Sequence, residues 1–308
     1  MEHRHPYFLN MVLAGLLLLV NLFQFILLPV LLLPLSPWWL LALIPCAALT
    51  NTMWFTAHES FHFNLHPDKK WNERLGRLLC VGLLVPFSVV RFGHLQHHRF
   101  NGALVDRPDL YDPAATSTIR AWVGYYAQLV GGFYLMEVAS FLVFLLPPER
   151  IRRFVSKAMG GGDEGSREIA KLAAKTFSKP DTVRSTRREG AVVFALLVVS
   201  LPLYGGYWWA LALALAARAF LISFANNLPH YAAPTGDTGQ AYNVALPRPV
   251  NACLLNFYCH HVHHAEPRLP WTSLPVEMRR RGEDWTMPYL KAGLAQFKGP
   301  RPVSAASA

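Results

Sequence analysis

Three short histidine boxes contain the residues whose types and spacing indicate chemistry. They occupy residues 58–62, 94–98 and 260–264, with the spacings HxxxH, HxxHH and HxxHH, and these positions take eight of the thirteen histidines. On a helix, positions i, i+3 and i+4 share one face, so each box can aim its imidazoles at one point. Neutral imidazole is the commonest metal-binding side chain. Because eight imidazoles exceed what one tetrahedral zinc requires, the boxes predict two metal ions.

A fourth element with suitable residue types is the segment 226–230, Asn-Asn-Leu-Pro-His. Pro229 cannot donate a helical hydrogen bond, so a helix is expected to kink or end there. Such a break would leave His230 pointing at the boxes. Asn226 lies four residues before His230, and a helix-capping role and a role at the metal site both remain open for it.

The composition indicates which elements position these residues. Of the 308 residues, 53% are hydrophobic and 16% are charged, and the mean hydropathy is +0.22. These values argue against an ordinary soluble enzyme and favour a membrane protein. The net charge of +10 indicates basic cytosolic loops beside anionic lipid, and no basic-aromatic motif points to nucleic acid. The four cysteines show no paired framework, so neither a disulfide scaffold nor an iron–sulfur cluster is expected.

Four apolar runs predict an all-α integral membrane helical bundle with two transmembrane hairpins, or about four spans. The runs are 8–33, 38–57, 191–201 and 207–226, with turns at 34–37 and 202–206. The first run is too long for a signal peptide and is interpreted as a retained anchor. In this arrangement every histidine box lies on the cytosolic side of the membrane, carried partly by interfacial helices such as the one predicted over 71–87.

The segment 121–146 does not fit this arrangement simply. It is apolar but contains Glu137 and a Gly131-Gly132 pair, and the strongly basic stretch 149–189 follows it. The positive-inside rule places that basic stretch in the cytosol. The segment must then cross twice or not at all, and it is too short for two crossings. We therefore expect a half-buried interfacial or re-entrant element.

With the boxes in this order, the sequence resembles the membrane fatty acid desaturase superfamily, which includes acyl desaturases, hydroxylases, carotenoid ketolases and alkene-forming decarboxylases. The motifs His98-Arg-Phe-Asn101 and Pro267-Arg-Leu-Pro-Trp271 are also similar to that superfamily, and the resemblance covers about residues 40–275. It implies two iron ions, dioxygen as cosubstrate, and a metal-bound water held by Asn226. The implied iron ligands are His58, His62, His94, His97, His98, His230, His260, His263 and His264.

Other residues near the boxes are assigned smaller roles. His261 is out of register with the ligands and His66 precedes Pro67, so both are set aside. The carboxylates Glu59, Asp106 and Glu266 are candidates to orient imidazole N–H groups. For Asp109, solvation on a loop surface is the favoured interpretation.

Arg218 lies eight residues before Asn226, about 12 Å along an ideal helix. A charge at that depth is costly, so snorkelling to the cytosolic surface is the favoured interpretation. Binding of a substrate carboxylate or headgroup is the sharper alternative, and Glu137 is a competing partner.

The function predicted on this basis is that of an O2-dependent di-iron oxidase that desaturates a fatty acid or acyl thioester. Hydroxylation, oxidative decarboxylation to a terminal alkene, and carotenoid ketolase or hydroxylase activity are alternatives, and a histidine-rich membrane metal transporter is an alternative from another class. No GxGxxG loop, iron–sulfur pattern or haem domain is present, so electrons must come from a separate ferredoxin, or a cytochrome with its reductase. The basic stretch 149–189 suits either an acidic partner or a lipid surface.

The predicted domain organisation is simple. Residues 1–275 are expected to form one membrane-embedded, desaturase-like catalytic domain. A cytosolic tail, 276–308, follows and is partly disordered, because the segment after Lys298 is rich in Pro, Ser and Ala.

Overall fold

A computed structural model of the protein describes residues 5–159, 162–235 and 241–303, and most of these residues are helical. The α-helices are α1 (Tyr7–Leu22), α2 (Leu43–Ala48), α3 (Thr50–Phe61), α4 (Lys69–Gly82), α5 (Phe87–Phe100), α6 (Thr118–Ala127), α7 (Phe133–Val143), α8 (Pro148–Met159), α9 (Glu164–Thr176), α10 (Pro180–Leu203), α11 (Trp208–Asn227), α12 (Arg248–Cys253), α13 (His260–Ala265), α14 (Leu274–Arg280) and α15 (Tyr289–Ala295). Two-residue strands are β1 (Leu110–Tyr111), β2 (Val244–Ala245), β3 (Met287–Pro288) and β4 (Arg301–Pro302). Wider π-helical turns extend α1 over Phe23–Leu32 and join α6 to α7 over Gln128–Gly132, and 3₁₀ turns cover Pro37–Ala42, Gly205–Tyr207 and Gln296–Lys298.

Within the described residues, between three and five elements are long and apolar enough to cross a membrane. The continuous ones are Tyr7–Leu32, Thr118–Val143 and Gly205–Asn227. Two bent pairs also qualify when each is taken as one span: Pro37–Ala48 with Thr50–Phe61, bent by 41°, and Lys69–Gly82 with Phe87–Phe100, bent by 104°. The predicted runs 8–33, 38–57 and 207–226 correspond to three of these elements.

The segment 121–146, predicted to be a half-buried or re-entrant element, lies mostly within the helical element Thr118–Val143, which is long and apolar enough to cross a membrane. Two helices, α6 and α7, meet there at a kink at Gly131, where φ is +142°. A Cβ on Gly131 would lie 3.2 Å from the Cβ of Ala219, so glycine here permits both the backbone angle and close packing on α11. Residues Ser140, Val143 and Phe144 line one cavity together with His97, so the kink suits a re-entrant element, which stays a prediction.

The second predicted hairpin also differs on its first arm. The sequence predicts a span over 191–201, but the helix found there, α10, begins at Pro180 and is not among the candidate spans of the described residues. Its first half carries Arg184, Arg187 and Glu189. The apolar remainder, 190–203, is about 21 Å long at 1.5 Å per residue, short of a bilayer core of roughly 30 Å.

Arg218, on α11, is buried inside the bundle and only 1% exposed. Its guanidinium donates to the carbonyl oxygen of Gly82 at 2.6 Å, and to Asn21 Oδ1 and Gln24 Oε1 at 3.4 and 3.3 Å. All three acceptors are neutral groups rather than the carboxylate of Glu137. The prediction that Arg218 snorkels to the surface is therefore wrong, because the polar interior of the bundle supplies its partners.

The sharp turn between α4 and α5 sets the direction of the second histidine box. Tyr134 donates from its hydroxyl to the carbonyl oxygen of Leu83 inside this turn. At the start of α5, Glu189 accepts from the backbone N–H and the hydroxyl of Ser88, each at 2.9 Å, and also pairs with Arg77. Side chains from two other helices thus fix the angle at which α5 leaves the turn.

Residues 276–303, the described part of the predicted C-terminal tail, pack on the domain. Strands β4 and β1 pair in parallel, with Arg301 opposite Leu110, and β3 pairs with β2 in the same sense. The Tyr231 hydroxyl also donates to the carbonyl oxygen of Gly299 at 2.8 Å. The sequence predicts disorder after Lys298, but these bonds order residues 299–303; residues 304–308 lie outside the described residues.

Candidate metal centre

The nine histidines predicted as ligands come together in two adjoining groups. Within each group the ligand-capable atoms lie within 4.8 Å of one another. The first group consists of His58, His62, His94, His98 and His263, and the second of His97, His230, His260 and His264. The groups touch where the rings of His98 and His264 stack, with centroids 4.3 Å apart.

The register of each box decides how it is shared between the two groups. Pairs four residues apart stay together: 58 with 62 and 94 with 98 in the first group, and 260 with 264 in the second. The i+3 histidines, His97 and His263, join the opposite group. Successive helical residues are about 100° apart, so positions i+3 and i+4 diverge to either side of position i. Helices α5 and α13 therefore each contribute to both groups.

His230 reaches the second group from the segment that follows α11. As predicted from Pro229, the helix ends shortly before it, at Asn227. The His230 side chain is buried, and its Nε2 lies 2.9 Å from Nε2 of His260 and 3.1 Å from Nε2 of His97.

The spacing of the nitrogens fits metal binding. In the first group Nε2 of His94 lies 2.7 Å from Nε2 of His62 and 3.0 Å from Nε2 of His98. Two nitrogens bound at right angles to one metal, each at about 2.1 Å, would lie about 3.0 Å apart. His58 Nε2 is buried without a hydrogen-bond partner in the described residues. A buried nitrogen in that state is costly unless it binds something else.

The protonation of the imidazoles also suits metal binding. Burial, reinforced by the neighbouring imidazoles, lowers the pKa of His230, His263 and His264 well below its usual value. Burial likewise lowers the pKa of His260 to about 3. These rings are therefore neutral at pH 7 and keep a lone pair for a metal.

Two acceptors fix the orientation of rings in the second group. His97 Nδ1 lies 2.7 Å from Asp106 Oδ2, and His260 Nδ1 lies 3.1 Å from the carbonyl oxygen of Phe257. Each ring donates its Nδ1–H to that acceptor, which leaves the Nε2 lone pair directed at the group. The sequence pointed to Asp106; no sequence signal identified the Phe257 carbonyl.

The other two predicted carboxylates do not orient a ring in this way. Glu59 Oε1 is 3.9 Å from His58 Nδ1, which is too long for a hydrogen bond. Glu266 accepts from Arg281 instead of a histidine, because the short helix α14 brings that arginine next to it.

The two histidines that the sequence set aside lie outside both groups. His66 Nδ1 accepts from the backbone N–H of Asp68 at 3.0 Å. His261 Nδ1 lies 2.8 Å from Glu283 Oε2, on the side of α13 away from its neighbours in the box.

Asp109 was predicted to be a solvated loop residue, and the structure contradicts this because it is fully buried, with an exposure of 0%. Its carboxylate accepts from Arg107 at 2.8 and 2.9 Å and from the backbone N–H of Ala232 at 3.0 Å. Arg301 lies 3.3 Å from it. This ion pair joins the loop that carries Asp106 to the segment that carries His230. Nothing in the spacing of Asp and Arg residues in that loop distinguishes it from a surface turn.

Asn226 is placed on α11 one turn before His230. Its Oδ1 accepts from the indole N–H of Trp54 at 3.1 Å, and its side-chain amide donates to the carbonyl oxygen of Ile222 at 2.8 Å. An amide oxygen has a second lone pair, so Oδ1 retains one acceptor position.

An apolar cavity of 240 Å³ adjoins the centre at His97 and Asp106. Helices α5, α7, α8 and α9 supply its other walls, including Phe92, Val143, Val155, Ile169, Ala173 and Phe177. A second cavity, beside His58 and His263, has only 10 Å³, room for about one water molecule. The larger cavity is the one with space for a hydrocarbon chain.

Comparison with known proteins places these features in a family context. A model of the fatty acid desaturase family matches residues 35–291. The sn-1 acyl-lipid omega-3 desaturase (ferredoxin) of Nostoc sp. (strain 36) is 25% identical over 252 residues, which are 80% of this chain and 52% of that protein. The acyl-lipid (9+3)-(E)-desaturase of Dimorphotheca sinuata is 28% identical over 93 residues, 30% of this chain and 24% of that protein. The Delta(12)-fatty-acid desaturase of Arabidopsis thaliana is 29% identical over 92 residues, 30% of this chain and 23% of that protein. The chain thus spans about half, or less, of the length of these curated relatives.

Proposed function

This chain belongs to the fatty acid desaturase family, and from that premise we propose that it is a membrane-bound, O2-dependent di-iron oxidase that desaturates a long acyl chain. The observation that carries the proposal is the division of nine histidines into groups of five and four. The family match extends to residue 291, so the proposed catalytic domain continues past residue 275 through α14.

Each histidine group would hold one iron ion. Nitrogen ligands with open positions suit iron that reacts with dioxygen, and iron bound here supplies the chemistry that breaks an unactivated C–H bond. Desaturation removes two hydrogens from neighbouring carbons. Together with one O2, two protons and two electrons from outside, they leave as two waters.

The contribution of the chain itself is orientation and exclusion of water. Asp106 and the Phe257 carbonyl hold their rings in one tautomer and direction. The apolar cavity beside His97 suits a hydrocarbon substrate and would hold one part of it at a fixed distance from the centre. We also propose that Asn226 holds a water beside the second group through the free acceptor position of its Oδ1.

The electron donor is proposed to be a separate protein, either a ferredoxin or a cytochrome with its reductase. The name of the Nostoc relative includes ferredoxin, which supports the first choice for this chain. We place the histidine groups on the cytosolic side because that is where such a donor and the basic stretch 149–189 would meet.

The test compares the product formed by the full chain with that formed by His263→Ala in the same cells, supplied with ferredoxin and its reductase. Mass spectrometry of lipids and volatile hydrocarbons should find a new double bond with the unsubstituted chain and none with the variant. A hydroxyl group, a lost carboxyl carbon or an oxidised carotenoid would identify a different oxidase and refute desaturation. Purified protein that binds no iron but moves zinc across vesicles would refute the enzyme class.

A further inference from the structure

Helices α8 and α9 have two unlike faces. On one face, Val155, Ile169 and Phe177 line the apolar cavity that reaches His97. The opposite face forms an open cleft between the two helices, lined by basic and hydroxyl side chains. Its members are Arg152, Arg153, Ser156, Lys157, Lys171, Lys175 and Ser178.

Part of the charge in this cleft is not used inside the protein. Arg152 pairs with Glu149 at 2.9 Å and Lys171 pairs with Glu168 at 2.6 Å. For Arg153, Lys157 and Lys175, the described part of the chain provides no ion pair. Cations that converge on a cleft with two hydroxyl groups suit an anion with several oxygen atoms, such as a phosphate group.

The apolar cavity and the basic cleft approach each other along one side of α8. Phe154 lines the cavity and is 51% exposed, so it lies at the cavity's opening. Lys157, which lines the cleft, is three residues later and so shares a side of the helix with Phe154. A ligand with an anionic head and an apolar tail would contact both features at once.

We propose that the α8–α9 pair binds an anionic glycerolipid, with its headgroup phosphate in the basic cleft and one acyl chain passing Phe154 into the cavity beside His97. This inference rests on the proposed function and names the substrate class as lipid-bound acyl chains. The chemistry that recognises the ligand is a phosphate joined to a long hydrocarbon.

The surroundings of the cleft favour a lipid over an acidic protein as its occupant. α8 begins five residues after the candidate span Thr118–Val143 ends, which places it at the membrane surface. Leu142 and Leu145, just before α8, and Phe154, on α8, are exposed apolar side chains, at 53%, 66% and 51%. Exposed apolar residues next to basic ones are typical of a helix that lies among lipid headgroups.

The experiment measures the lipids retained by the purified full chain. Protein reconstituted with equal amounts of phosphatidylglycerol and phosphatidylcholine is extracted in mild detergent, and its bound lipids are counted by native mass spectrometry. The cleft variant is Arg153→Gln/Lys157→Gln/Lys175→Gln. The matched control, Arg150→Gln/Lys179→Gln/Arg188→Gln, removes the same charge from exposed positions outside the cleft.

We expect the unsubstituted chain and the control to prefer phosphatidylglycerol, and the cleft variant to lose about tenfold or more of that preference. Short-chain phosphatidylglycerol should be retained less well than the long-chain form, and inorganic phosphate should displace the long-chain form poorly. An unchanged preference in the cleft variant, or an equal loss in the control, would overturn the proposal. So would a cleft variant that retains lipid normally but loses turnover with an acidic ferredoxin, because the cleft would then be a protein-docking surface.

Lipid retention is measured without iron and without a product assay. A failed lipid result with a new double bond still formed would therefore refute only the lipid site. Absence of iron binding and of product would refute the proposed function instead.

Discussion

Arg218 donates its 2.6 Å hydrogen bond to the carbonyl oxygen of Gly82, the last residue of α4. The final carbonyls of a helix have no partner within the helix and lie at the negative end of its dipole. A buried cation at this point therefore satisfies the helix end, and the helix end offsets part of the cost of burying the cation. The two residues together allow a helix to stop inside the bundle, just before the chain turns by 104° into α5.

Replacing Arg218 with Gln should destabilise the protein. The substitution removes a charged hydrogen bond to a buried carbonyl, worth about 1.5–3 kcal/mol. Thermal unfolding in detergent should show a lower Tm, whereas Arg188→Gln, at an exposed position of α10, should leave it nearly unchanged. An unchanged Tm with a raised KM would instead support the alternative that Arg218 meets the substrate.

Single substitutions should empty one metal position at a time. The two histidine groups share no residue, so His62→Ala should mainly affect the first and His260→Ala the second. Iron measured by plasma mass spectrometry should fall from about two per chain to about one in each variant, given one ion per group. His261→Ala should retain both ions, because His261 pairs with Glu283. Loss of both ions from every variant would show that the groups do not bind independently.

Asp106→Asn should weaken the second position without removing a ligand. The amide keeps the size of the side chain but loses the charge that accepts from His97 Nδ1 at 2.7 Å. Changes of this kind cost about 10–100-fold in metal affinity or activity. Competition with a chelator measures the iron affinity and should show this loss. The control Glu266→Gln loses only a contact with Arg281, so its iron affinity should be close to that of the unsubstituted chain. Equal effects of the two substitutions would argue against an orienting role for Asp106.

Asp109→Ala should be among the most destabilising substitutions in the chain. It leaves the guanidinium of Arg107 buried without its carboxylate partner, which typically costs about 3–5 kcal/mol. The double variant Arg107→Met/Asp109→Leu removes both charges and should recover much of the lost stability. Chemical unfolding of the three proteins measures this. A double variant less stable than Asp109→Ala would show that the pair contributes more than charge compensation.

The candidate ligands could be predicted from the spacing of the boxes and from the family resemblance, whereas the residues that meet across the two groups could not. The spacing places His94 and His98 on one face of α5 and His97 beside it, but only tertiary packing brings His97 next to His230 and His264. Arg218 shows the same difference between local and tertiary information. Its position along α11 could be predicted, but its hydrogen-bond partners on α1 and α4 could not. The burial of Asp109 was missed because Ala232 and Arg301, the residues that enclose its ion pair with Arg107, lie 123 and 192 residues away in the sequence.

The division into five and four also has a consequence for biosynthesis. Four of the five histidines of the first group lie at or before His98 in the sequence, and the fifth is His263. Of the four histidines of the second group, only His97 precedes His230. A chain emerging from the ribosome can therefore offer a nearly complete site for one ion long before it offers the other. Loading of the centre would then be ordered in time, with the second position filled only after the segment bearing α13 has been synthesised and folded into place.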